Sequence, residues 1–287
     1  TTANGIVGVD AITTTGGASS SGSHNGGAAG DVTINTGADV ITLNDNITAV
    51  GGTDSGSNTG GVGGAVTFSD LVTLGAGIAI DSSGGVSTSG TDGDGGAIEF
   101  SSTLAGGSNT LALTAKGDTD GAVTFTGAVS GMGAVTLNDA AAVTVSSTFG
   151  CAGFNQVATG TGTIQFVGLL TSSGAVTLDA TVVDLDGGIT TSAGGASGLI
   201  TLSASAADGV NIAVGTTITT TAALNSGTAS GGLTINNGGT GVVAILGNVV
   251  TTGAANNGGA GSAGGAVSIT TANGIVGVDA ITTTGGA

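Results

Sequence analysis

Residues 266–287 read AVSITTANGIVGVDAITTTGGA, three short apolar runs parted by small and polar residues. AVSI alternates apolar and polar side chains, TTANG breaks the run, and IVGV and DAITTTGG supply two further segments. A period of two with Gly- and Asn-rich breaks is the pattern of short β-strands joined by turns. Residues 270–287 of this stretch are also, letter for letter, residues 1–18. Position 270 matches position 1, so the sequence repeats after 269 residues, which predicts a tandem array seen through one period and a short overlap.

The same grammar runs back through the chain. Residues 232–253 give GLTI, VVAIL and NVVTTG, and residues 199–221 give LITL, VNIAV and TITTT. Further openings stand at DVTI (31–34) and at AVTL (134–137 and 175–178). Ten openings fall near residues 31, 52, 78, 110, 134, 154, 175, 199, 232 and 266. The one near 52 is weak, its first strand dissolved into GGTDSGSNTGGVGG. At about 27 residues per module, three strands each, the expectation is one turn per module of a three-sided parallel β-helix. The fold class is therefore all-β, a single continuous β-solenoid over residues 1–287 with about ten rungs per period.

Alternation predicts the columns inside such a helix. Val32/Ile34, Val135/Leu137, Val176/Leu178, Ile200/Leu202, Leu233/Ile235 and Val267/Ile269 point inward from first strands, and Thr33, Thr136, Thr177, Thr201, Thr234 and Ser268 outward. Second strands end on Leu43, Phe68, Phe100, Phe125, Val145, Phe166, Leu185, Val214, Leu246 and Val278, which places four of the six phenylalanines in one internal column. Third strands carry Thr13/Thr14, Thr190/Thr191, Thr219/Thr220 and Thr251/Thr252, one of each pair facing in. An inward hydroxyl must find a backbone group or the next Thr, because leaving it unpaired costs ~1–3 kcal/mol. The long loops at 18–30 and 251–265 should bulge from one corner, where Gly and Ser tolerate unusual backbone angles.

Composition narrows the function. The chain has 61 Gly, no Pro, Trp or Tyr, and 39% hydrophobic residues, which suits a thin repetitive core without large rings. Lys116 is the only cation and the net charge is −17. Nucleic-acid binding needs Lys and Arg to displace counterions, so it is excluded, as is charge-driven binding to an anionic membrane. No apolar run approaches a membrane span. With one cysteine, Cys151, no intramolecular disulfide forms; lying between Phe149 and Phe154, it reads as a buried small hydrophobe.

The GG-x-VTL … ITTTG grammar resembles the β-strand repeats of filamentous-haemagglutinin-like bacterial surface proteins and other giant adhesins, over nearly the whole chain. The resemblance implies a right-handed parallel β-helix, an extracellular or cell-surface location, and a role as fibre, stalk or adhesin.

Chemistry-bearing residues are few. Lyase chemistry would want a basic residue near clustered carboxylates, where Lys116 is alone and Arg absent, and glycosidase chemistry an aromatic sugar platform, which no acidic pair has beside it, so no enzyme is expected. Those pairs, Asp92/Asp94 in TDGDGG and Asp118/Asp120 in KGDTDG, are the candidate Ca²⁺ ligands, because hard oxygens on Gly-rich turns suit that ion. The competing reading is a solvated acidic corner partly neutralised by Lys116. His24 sits in a Gly/Ser loop without a second His or Cys nearby, Asn46-Ile47-Thr48 fits a glycosylation sequon, and Ser19–Ser23 offers hydroxyls for O-linked sugar. The functional expectation is a structural segment of an extracellular fibre or surface-protein shaft, with other copies of itself as partner end to end and in lateral bundles. The alternative is an adhesin module whose Gly/Ser loops recognise glycan or a cell surface.

Overall fold

The computed structural model describes residues 7–20, 24–156, 162–192, 198–206, 209–222, 224, 227–257, 259–272 and 276–287. Three features of the sequence reading lie outside these residues: positions 1–6 of the first terminal copy, the turn at Asn273, and Ser21–Ser23 of the first long loop. Among the described residues every regular element is a β-strand, and the pairings given below are all parallel. The chain forms two compact units, Thr1–Ser146 and Ser147–Ala287.

In the first unit strands pair mostly with the strand three places later in the chain, the long strand Val129–Asp139 serving two stacks, which makes a solenoid-like arrangement of three stacks. Val32–Ile34, Val66–Phe68, Ile98–Phe100, Val123–Phe125 and Val143–Val145 form one. Val7–Val9, Ile41–Leu43, Val72–Leu74, Leu104–Ala105 and the start of Val129–Asp139 form the second. The third runs from Ile12–Thr13 through Ile47–Thr48, Ile78–Asp81 and Leu111–Thr114 to the end of Val129–Asp139. The second unit repeats the plan. Its first-strand stack carries Val176–Ala180, Ile200–Ala204, Leu233–Asn237 and Val267–Thr271. Thr163–Phe166, Val182–Leu185, Val210–Ile212 and the starts of Val243–Thr252 and Val276–Thr284 make its second. Leu170–Ser172, Ile189–Ser192, Thr217–Thr221 and the ends of those same two long strands make its third.

Register follows the alternation in the second unit: Thr177, Thr201, Thr234 and Ser268 do form one outward column. The first unit corrects the reading. Val32 and Val135 do not share a column, because Val32 pairs with Val66 whereas Val135 pairs with Leu111. Phe68 stacks on Ile34, not Leu43, which sits between Val9 and Leu74. GGTDSGSNTGGVGG is a long loop and not a decayed strand, so Val66–Phe68 is the strand that follows a loop rather than the second of its turn. Val214 and Leu246 also leave the predicted column, 79% and 46% exposed, and Ile212 and Ile245 take their places. Gly215, at φ +80°, ends the strand before Val214, and the register breaks just after Ile245.

Inside, Phe68, Phe100 and Phe125 stack with centroids 4.9 and 5.2 Å apart and planes within 18° and 4°. The ~4.8 Å strand spacing dictates this face-to-face offset pile. In the second unit Phe149 and Phe154, both on the strand Phe149–Gln156, and Phe166 of the next strand meet edge to face, at 5.4 to 6.2 Å. The inward hydroxyls find backbone carbonyls, one of the two partners anticipated. Thr191, Thr220 and Thr251 are fully buried and donate to the carbonyls of Gly198, Gly231 and Gly265 at 3.0, 2.6 and 2.8 Å. Ser82 does the same to Gly96 at 2.7 Å and Thr14 to Gly30 at 2.6 Å. In each case the hydroxyl latches the neck of a loop, from the end of one strand to the glycine before the next.

These contacts give two expected outcomes in denaturant unfolding. Phe100→Ala should lose ~3–5 kcal/mol through the cavity left mid-pile. Thr220→Val should lose ~1–3 kcal/mol by removing the latch donor while keeping the shape, and Thr220→Ser should recover most of it.

Candidate functional site

The long loops of the first unit are built almost wholly of backbone. Each leaves the third strand on an outgoing arm and comes back on a returning arm. Along the stack each arm bonds its counterpart in the next loop: the amides of Gly16, Gly51 and Gly84 donate to Val50, Ser83 and Lys116, and those of Gly26 and Gly60 to Thr59 and Thr91, at 2.7 to 2.9 Å. Across the loop the arms bond one another. The amide of Gly27 donates to Gly17, Gly52 to Gly27, Gly61 to Gly52, Gly85 to Gly61 and Gly93 to Gly85, at 2.7 or 2.8 Å, and Asp118 continues to Gly93 at 3.1 Å.

This ladder explains the glycine. None of these glycines has a positive φ, so conformational freedom is not the reason. A Cβ at Gly52, Gly61, Gly85 or Gly93 would run into the carbonyl oxygen of Gly17, Gly27, Gly52 or Gly61, far inside van der Waals contact. Close approach of two backbones demands the missing side chain. A shorter version occurs in the second unit, where Ser262 donates to Ala254 at 2.9 Å and Gly286 to Ser262 at 2.8 Å.

The four candidate Ca²⁺ ligands sit on these arms, and the carboxylates of three of them accept backbone amides. Asp92 accepts from Ser87 at 2.8 Å, Asp94 from Thr119 of the next loop at 3.1 Å, and Asp120 from Gly117 at 2.9 Å. Asp118 contributes its amide to the ladder, and its side chain is exposed. Among the described residues no group of three or more His, Cys, Asp or Glu side chains gathers in metal-holding geometry. Asp94 ties two loops together, which is a structural task. Close by, burial raises the Asp139 carboxyl above the usual range, with the Asp120 charge adding and Lys116 opposing.

Two carboxylates that the sequence did not single out do more. Asp70 lies in a cradle of amides from the preceding turn: Thr36 at 2.6 Å, Ala38 at 3.1 Å and Gly37 at 3.2 Å, with the Thr36 hydroxyl at 3.0 Å. Successive amides in a turn with left-handed residues form such an anion nest, and here Gly37 and Ala38 have φ of +73° and +93°. The Thr36 amide above all pulls the Asp70 carboxyl below its ordinary value; burial, the next largest effect, opposes it, and the Thr36 hydroxyl and the Ala38 and Gly37 amides add to the lowering. Asp54, 1% exposed, accepts from Gly56 and Asn58 at 3.1 and 2.9 Å through Oδ2, while its Oδ1 meets no donor. Neither role shows in a single sequence, because both acceptors are defined by loop closure.

The remaining candidates behave as ordinary structure. Cys151 is buried, and burial pushes its thiol up to about 11, against smaller opposing hydrogen bonds to Ser172 and Gly153. That is the wrong direction for a nucleophile. His24 is exposed on its loop. Asn46 of the sequon is exposed but uses its side-chain oxygen to accept from the Ala79 amide at 2.7 Å.

No protein-family model, curated protein or solved structure matches this chain.

Two outcomes check these assignments. Asp70→Asn should lower the melting temperature at neutral pH. Because the native carboxyl titrates below its ordinary value of 3.8, its stabilisation is present above that pH and fades as pH falls through the native value. The gap between wild type and variant should therefore close in acid. Separately, Cys151 should react with a thiol reagent at pH 8 only at the rate of unfolding, and at the free-thiol rate in denaturant.

Proposed function

We propose that this chain is a structural segment of an extracellular fibre or surface-protein shaft. It would be a right-handed parallel β-helix of about ten rungs per 269-residue period, and its work is mechanical. The observation that carries this reading is the glycine ladder. An adhesin module would need its Gly/Ser loops free to meet a glycan or a cell surface. Here the backbone of those loops is spent on bonds along and across the stack, with glycine required by collision rather than by flexibility. Loops consumed in this way behave as part of the shaft.

Other features agree. Parallel stacking hides each strand edge against its neighbour, so a long array exposes few sites for stray pairing. The resemblance to giant repetitive surface proteins points the same way. The −17 charge favours solubility of the array and sets copies to repel one another.

Fibre diffraction or electron cryo-microscopy of the native material tests the proposal. A ~4.8 Å axial repeat with a longer period of roughly 48 Å is the expected result. A discrete capped particle without the long period would sink it. In the isolated chain, Gly61→Ala should destabilise by at least ~1–3 kcal/mol through backbone overlap, and by far more than Gly→Ala at the open position Gly17.

A further inference from the structure

We infer that residues 276–287 present a strand edge shaped to seat residues 30–52 of a following copy of the same sequence, in a register the chain already displays. This rests on the tandem reading above and adds to it the contacts at the joint.

The two copies of the eighteen-residue stretch are held from opposite sides. In the first unit Val7, Val9, Ile12 and Thr13 lie beside Ile41, Leu43, Ile47 and Thr48. The amides of Val7, Ile12, Thr14 and Gly16 donate to Val40, Asn46, Thr48 and Val50, at 2.9, 3.2, 2.8 and 2.9 Å. In the second unit the counterparts Val276, Val278, Ile281 and Thr282 lie beside Val243, Ile245, Val249 and Val250. There Gly253 donates to the carbonyl of Thr284 and Gly286 to that of Ser262, both at 2.8 Å.

Successive residues of a parallel strand turn their peptide groups to opposite neighbours. The two sets of bonds therefore use different residues of the one stretch and do not compete. A single copy can be held by residues 243–262 on one side and by residues 30–52 on the other.

Side chains agree with the backbone. Val276, Val278 and Ile281 are 43%, 41% and 41% exposed, whereas Val9, the counterpart of Val278, is 8% exposed beside buried Leu43. Seating the following copy would cover the three with its Ile41, Leu43 and Ile47. Thr14 already latches Gly30 at 2.6 Å, as Thr251 latches Gly265 at 2.8 Å, so Thr283 meets Gly30 of the next copy in the same way. The Gly17 carbonyl accepts from Gly27 at 2.8 Å, which gives Gly286 the same partner and carries the glycine ladder across the joint.

The test is a two-period chain, residues 1–287 followed directly by residues 19–287, compared with the single-period chain by amide hydrogen exchange. The amides of Val276, Ile281, Thr283 and Gly285 should exchange roughly a hundredfold more slowly in the longer chain, removing the alternation with Gly277 and Thr282 expected in the shorter one. Ile47→Asp made in the second copy alone should restore fast exchange at Ile281 and Thr283. Should the longer chain gain its full strand content while those four amides still exchange fast, the joint is wrong and the fibre reading survives. Native material that ends after one period would remove the fibre reading and leave the exchange result intact.

Discussion

Every part of this protein answers to the parallel backbone hydrogen bond between one turn and the next. That bond repeats at a fixed spacing, so each residue meets the equivalent residue of its neighbours above and below. A side chain that packs badly against its own kind is then wrong many times over. Phenylalanine succeeds because offset rings pile at this distance, and the aliphatic columns succeed because branched side chains nest. Carboxylates succeed only where amides from an adjacent turn reach them, as at Asp70 and Asp94.

The same rule reaches the loops. Ordinarily a long surface connection is the loosest part of a repeat. Here the loops stack too, and two antiparallel arms can stack within bonding distance only if neither carries a Cβ on the shared face. Glycine content follows from that geometry, and the latching hydroxyls of Ser82, Thr191, Thr220 and Thr251 close each neck against a glycine carbonyl.

Much of this was legible beforehand. Alternation in AVTL, LITL and GLTI gave the strands and the second unit's first-strand column, because each turn there keeps the same order of strands and loop. The Thr pairs gave the buried hydroxyls. Reading failed where a loop was mistaken for a decayed strand at 51–64, and the slip carried Phe68 and Leu43 into one column. Val214 and Leu246 were misplaced because VNIAV and VVAIL offer two phases of alternation, and the choice is made by Gly215 and by the pairing of Val210 with Val243. In the acidic pairs the sequence shows the oxygens but not the amides that Asp92, Asp94 and Asp120 accept. Asp54 and Asp70 drew no notice, as their partners lie in other turns or in the turn of a loop.

The glycine arms have a consequence for stiffness. A beam resists bending in proportion to the square of the distance of its material from the neutral axis, and engineers add flanges for that reason. Two backbone layers without side chains are the thinnest flange a polypeptide can make, and bonding along the stack lets them carry tension and compression rather than slide. Glycines such as Gly52, Gly61, Gly85 and Gly93 thus set rigidity against a narrow mutational allowance, since a replacement there adds bulk where two stretches of backbone already touch.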